Sequence, residues 1–135
     1  MPKETLDENR WSINSFNFLL VNCIYTLRNI YKVINQCEKE IASKYGLTLN
    51  EAIVLCSLDG KSLCASEIAE NSDLQCSQTS KILKSLEDKK LIERTLGKTD
   101  KRNMFFMLSN SGKTTLQSIK TYQPEVPEGL KALIF

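Results

Sequence analysis

Side chains able to do chemistry are few in this chain, and their types exclude most catalysis. There are five cysteines, Cys23, Cys37, Cys56, Cys64 and Cys76, and no histidine. Without an imidazole there is no Ser-His-Asp or Cys-His relay, no histidine metal ligand and no histidine pH switch. No two cysteines stand as Cys-x-x-Cys, so neither a zinc ribbon nor a thioredoxin-type redox pair is encoded. An enzyme, a metal and a cofactor are therefore not expected. Residues 1–10 carry Lys3, Glu4, Asp7, Glu8 and Arg10 and do not read as a signal peptide. The longest uncharged stretch, Trp11 to Leu27, is too short and too polar to span a bilayer. A cytoplasmic chain with reduced thiols and no membrane contact is the expectation.

The charged side chains point to a different kind of function. The net charge is only +2 over 135 residues, yet it is unevenly placed. Residues 1–76 are net −3, residues 77–113 net +5, and residues 114–135 neutral. A basic segment inside a near-neutral chain suggests a local anionic partner.

The elements that must position this segment follow from periodicity. The length fits one domain, 1–135, which needs no disulfide or metal to fold. Residues 11–45 read as one helix. Ile13, Phe16, Leu20, Cys23, Leu27, Ile30, Ile34, Cys37 and Ile41 form a seam at steps of three and four, with Trp11, Phe18 and Tyr25 on a neighbouring face. Two apolar faces call for two partners, the rest of the domain and a second subunit, the alternative being one wide core-facing stripe in a monomer. On the seam, Cys23 and Cys37 read as small packing residues. Thr48-x-x-Glu51 is a capping box that opens the next helix, with Leu49, Ala52, Ile53, Leu55 and Cys56 inward. A short helix over Ala65 to Asn71, a turn at Asn71-Ser72-Asp73 and a helix from Ser77 to Lys89 follow. Thr79, Ile82, Leu83 and Leu86 face inward on that last helix, and Ser77, Gln78, Ser80, Lys81 and Lys84 outward, the helix-turn-helix pattern. Strands at Ile92 to Leu96 and Met104 to Leu108 flank a polar, basic loop, and a helix runs from the Ser109-Asn110-Ser111-Gly112 turn to Tyr122. Pro124 and Pro127 break it, and the apolar end, Gly129 to Phe135, should dock.

Three stretches in this order resemble the MarR family of bacterial winged helix-turn-helix regulators. Leu63 to Glu70 looks like the first motif helix, and Ser77 to Ile92 like the recognition helix entering the first wing strand. Asp100-Lys101-Arg102 through Gly112 looks like the wing and its exit, including the Asp-x-Arg of the wing tip. The likeness covers about residues 10–122. It implies a mainly α fold with a small β-hairpin wing and a long N-terminal dimerisation helix. Residues 10–45 and 110–135 would form the dimerisation helices and 47–109 the DNA-binding lobe.

The resemblance also implies roles. The chain would be a homodimeric, sequence-specific regulator of transcription acting on double-stranded DNA, a repressor released by a small aromatic effector. Ser77, Gln78, Ser80, Lys81 and Lys84 would face the major groove. Arg102 would enter the minor groove, held by Asp100, with Arg94, Lys98 and Lys101 on phosphates. Phe16, Tyr25, Tyr31 and Tyr45, with Trp11 and Phe18, are the aromatic side chains for an effector pocket. Cys64 stands where the family has a Ser/Thr helix cap, and Cys76 just before the recognition helix. A helix N-terminus favours the thiolate, making both candidates for redox control, although Glu67 opposes this at Cys64. The chain departs from the family at its end, where the two prolines leave room for only a short final helix. A protein-binding winged-helix adaptor and a thiol-based redox regulator are the alternatives. The basic surface disfavours the first; against the second, the family's peroxide-sensing branch would need a cysteine near the start of the first helix, and Cys23 lies further in.

Overall fold

The computed structural model describes residues 16–97 and 104–134, with side chains for 21–97 and 104–131. The order is α1 (Phe16–Tyr45), α2 (Leu49–Ser57), β1 (Leu63–Cys64), α3 (Ala65–Ser72), α4 (Cys76–Asp88), β2 (Ile92–Leu96), β3 (Met104–Leu108), α5 (Asn110–Lys120) and α6 (Glu128–Ile134). This is the expected mainly helical fold with a small antiparallel sheet. Two compact units are formed, residues up to Cys37 together with those from Pro124, and Glu38–Gln123. The unit boundary thus falls inside α1, because its last turns contribute Ile41 and Tyr45 to the core of the larger unit.

Local chemistry sets the ends of the elements. The Thr48 hydroxyl accepts from the Glu51 amide at 3.1 Å, and the Glu51 carboxylate accepts from the Thr48 amide at 2.9 Å, closing the expected capping box of α2. At α3 the Cys64 amide donates to Glu67 at 3.0 Å, the carboxylate half of such a box. This bond holds the Glu67 carboxyl below the usual range. The helix stops at Asp73, whose φ of 54° places it in the left-handed region as the turn requires. Ser109 caps α5 by accepting from the Gly112 amide at 3.0 Å.

The core of the larger unit is apolar and continuous. Leu47, Val54, Leu55, Leu58, Ile68 and Leu86 are fully buried, and Leu83, Ile92, Phe106, Leu108 and Leu116 close around them. The sheet order is β1-β3-β2, all antiparallel. Ile92 lies opposite Leu108 and Leu96 opposite Met104, while Leu63 lies opposite Phe106.

Several expectations need correction. Leu63–Cys64 is a strand, not the start of the motif helix, and it ties the helix-turn-helix to the wing. The buried side of α2 is Glu51, Ala52, Val54 and Leu55; Ile53 and Cys56 point outward. In so short a helix the two buried residue pairs, 51–52 and 54–55, already fill one face. Cys76 is the first residue of α4 and not the residue before it, since Gln75 holds the cap position. The seam on α1 splits. Ile30 and Cys37 are half-buried and Ile41 buried, joined by Val33 from outside the expected seam. Leu27 and Ile34 are exposed, as is Cys23, so Cys23 does not pack within the chain. Trp11 and Ile13 lie outside the described residues, and Phe18 outside the described side chains. In the smaller unit Leu130 of α6 is buried, consistent with an apolar end that docks.

Candidate nucleic-acid interface

The helix-turn-helix is α3, the turn at Asp73, and α4. Thr79, Leu83 and Leu86 are buried on the inner side of α4. Ser77, Gln78, Ser80, Lys81 and Lys84 are all exposed, so a continuous polar and basic surface covers its outer side. The spacing explains this division. Positions 79, 83 and 86 recur on one helical face, and the residues between them are driven to the other. The Thr79 hydroxyl turns back to donate to the Gln75 carbonyl at 2.9 Å. The Gln78 side-chain carbonyl accepts from the Gln75 amide at 3.4 Å, which leaves its NH2 group for other contacts.

A polar cluster that sequence reasoning missed holds the far end of α4. Glu51 is 3% exposed, yet its carboxylate is fully engaged. Lys89 donates to its two oxygens at 2.8 and 2.9 Å, and Ser85 donates at 2.6 Å. The same Lys89 ammonium reaches the Gly46 carbonyl at 2.9 Å. Burial alone would raise the Glu51 carboxyl, but the hydrogen bonds from Lys89, Ser85 and Thr48, with the charge of Lys89, bring it below the usual range. The only local signal is the capping box, which says nothing of partners 34 and 38 residues away.

The wing strand differs from expectation in one charge. The Arg94 guanidinium binds both oxygens of Glu87, at 2.6 and 2.8 Å, and lies 5.5 Å from the Phe106 ring. It bridges the last turn of α4 to β2, a partner within the chain beside the phosphate role expected from the sequence. Lys98, Asp100, Lys101 and Arg102 lie outside the described residues.

The structure does not assemble the other candidates. Tyr25 and Tyr31 are exposed on α1 and, six residues apart, point about 120° away from each other around the helix. Tyr45 instead packs on the core of the larger unit, with its hydroxyl 3.3 Å from the Ser118 carbonyl. The Phe16 side chain lies outside those described. The Cys64 sulfur is 3.2 Å from the Ser66 hydroxyl, and Cys76 is exposed. Among the described residues, no cluster of carboxylates and thiols could hold a metal ion, and no helix is long and apolar enough to cross a membrane.

Known proteins share this arrangement. The family model of the transcriptional regulator SarA/Rot matches residues 36–119, more than half of the chain. Comparison with curated proteins finds no match. Among solved structures, YusO from Bacillus subtilis is 28% identical, with a TM-score of 0.62, covering 77% of this chain and 74% of its own. The transcriptional repressor CouR, bound to a 23-mer DNA duplex, is 27% identical, with a TM-score of 0.64 and coverage of 71% and 68%. AbsC from Streptomyces coelicolor, a MarR family transcriptional regulator, shares the fold at 23% identity, with a TM-score of 0.67 and coverage of 75% and 70%. With a winged helix-turn-helix of the MarR type and a family match spanning its helix-turn-helix and both wing strands, the chain belongs to the SarA/Rot family of transcriptional regulators.

Proposed function

We propose that this chain is a homodimeric, sequence-specific DNA-binding regulator that represses transcription by occluding its site. The observation that carries the reading is the two-sided character of α4. Five polar or basic side chains are exposed along it, opposite a fully packed inner face. Ser77, Gln78 and Ser80 would meet base edges in the major groove, and Lys81 and Lys84 the flanking phosphates. Lys98 and Lys101 would add phosphate contacts, and Arg102, oriented by Asp100, would enter the minor groove. CouR, a repressor seen on DNA with the same fold, supports the repressor assignment.

Dimerisation is supported by α1. Val21, Ile24, Leu27, Tyr31 and Ile34 recur at steps of three and four and are 41–63% exposed, with Tyr25 beside them at 61%. An apolar stripe of this length is more than a soluble monomer leaves to water. A second copy laying its own α1 against it would cover both. Residues 10–45 and 110–135 would then be the dimerisation segments, and 47–109 the DNA-binding lobe. Release by a small aromatic molecule belongs to the same proposal.

The test is fluorescence anisotropy with a duplex enriched from a random pool by the full-length protein. Tight binding with a steep salt dependence, absent for a scrambled duplex and reduced in Arg102→Ala, supports the proposal. No enrichment at any salt concentration overturns it in favour of a protein-binding adaptor.

A further inference from the structure

We infer that Glu51 is a positioning residue for DNA recognition: its buried carboxylate sets the rotation and axial position of α4 by holding Ser85 and Lys89. The inference rests on the proposal that α4 is the recognition helix, and it deepens that proposal by naming what holds the helix in register.

Specific readout demands that α4 be held in one setting. Each residue step turns a helix by about 100° and advances it about 1.5 Å, so even part of one step moves every outward side chain off the atoms it would read. The inner contacts of α4, through Leu83 and Leu86, are apolar. Apolar contacts favour burial but are not directional. Directional tethers from α4 to other elements are the pair Glu87–Arg94 and the cluster at Glu51. The first lies at the surface, where solvent weakens it. In the second the Glu51 carboxylate is buried although Lys89 is 37% exposed, and the geometry at the carboxylate is over-determined. One carboxylate takes Ser85 from within α4, Lys89 from its end and the Thr48 amide from the start of α2. Lys89 also reaches the Gly46 carbonyl, just after α1, so three helices meet at one group. Ser85 stands next to Lys84 and one turn from Lys81, both on the proposed groove side. An ion pair on a buried carboxylate is a poor source of stability compared with apolar packing, and the best-attested use of such a group is to specify one arrangement.

The experiment compares the wild-type protein with Ser85→Ala, Glu51→Gln, Lys89→Met and the apolar pair E51M/K89L. Each is measured by anisotropy on the enriched duplex and on a scrambled one across a salt series, well below its thermal midpoint, with folding checked by circular dichroism. In Glu51→Gln and Lys89→Met, the Kd for the enriched duplex should rise about tenfold, and that for scrambled DNA should change by less than about twofold. Ser85→Ala, the mildest variant, should lie between them and the wild type. The salt slope should stay unchanged, because every phosphate-facing lysine is still present. The apolar pair should recover the thermal midpoint without recovering discrimination. A purely structural role predicts the opposite, and discrimination that returns with stability in E51M/K89L overturns the inference. So does wild-type affinity for the enriched duplex in Glu51→Gln. If the wild type enriches no duplex, the DNA-binding reading itself has failed, and that is visible before any variant is made.

Discussion

The Gly112 backbone lies directly against the Leu91 carbonyl, so a β-carbon at 112 would overlap the Leu91 oxygen. The contact joins the start of α5 to the stretch that leaves α4. Ser109 reinforces it, donating its amide to the Leu91 carbonyl at 3.0 Å and its hydroxyl to the Lys90 carbonyl at 2.8 Å. Because the obstacle is backbone, no rotamer change relieves it. Gly112→Ala should destabilise the fold by at least about 2 kcal/mol, measured as a lower urea midpoint with unchanged slope. Ser109→Ala, which removes a cap, should cost about 1 kcal/mol.

Lys90 offers a test with the opposite sign. Its φ is +62°, in the region that side chains with a β-carbon adopt at a cost. It is exposed, so its side chain contributes little packing. Lys90→Gly should be neutral or stabilising by up to about 1 kcal/mol, while Lys90→Val should destabilise by about 1–2 kcal/mol. Thermal midpoints of the two variants, ordered the other way, would contradict a left-handed backbone at this position.

Glu51 makes stability depend on acid pH. Its carboxyl titrates below the ordinary glutamate range in the folded protein. The unfolded chain therefore binds the proton more readily, and the stabilisation is complete above the unfolded value of about 4.3. It is lost as pH falls through the lower folded value. Urea midpoints measured from neutral pH downward should fall across this window, and less steeply in Glu51→Gln. Equal slopes would show that other carboxylates account for the acid loss.

The stripe on α1 predicts the oligomeric state. Leu27 and Tyr31 are 63% and 62% exposed in the single chain. A glutamate at either position would leave a charge unpaired inside a dimer, at a cost of about 2–4 kcal/mol or a factor of about 30 or more in dimer affinity. Sedimentation equilibrium should find a dimer for the wild type and a monomer–dimer mixture for Leu27→Glu. The same variant in a protein that is already monomeric would show no change in mass.

Lys81 and Lys84 should separate from the hydroxyl and amide groups in their salt response. Replacing either lysine by alanine should weaken enriched and scrambled duplexes alike and lower the salt slope by about 1 for each phosphate left without its lysine. Ser80→Ala or Gln78→Ala should instead reduce discrimination at a constant slope. Anisotropy titrations at several salt concentrations distinguish the two outcomes.

Local pattern makes much of this fold legible. The bounds of β2 and β3 follow from two short runs set between turn residues and a polar, basic loop, and the α2 cap from Thr48 and Glu51. The outer surface of α4 follows from the spacing of Thr79, Leu83 and Leu86. What stays hidden depends on partners distant in sequence. β1 is two residues long and exists only because β3 pairs with it, more than forty residues away. Glu51 announces a cap, while Ser85 and Lys89 become its partners only in three dimensions. Arg94 reads as a free cation in the sequence because its pairing with Glu87 needs β2 to fold back along α4. On α1 the stripe is displaced from the expected seam, as side chains alone cannot tell a face covered by the chain from one left open.

The pairing of Leu96 with Met104 bears on how such a protein diversifies. At the base of this hairpin Ile92, Phe106 and Leu108 are buried, and a slip of one residue would carry them to the other face of the sheet. Charge changes beyond the paired residues would leave that buried set untouched. Descendants of one ancestor could acquire different reach and different preferences in flanking sequence by altering a single short segment, while inheriting the scaffold unchanged.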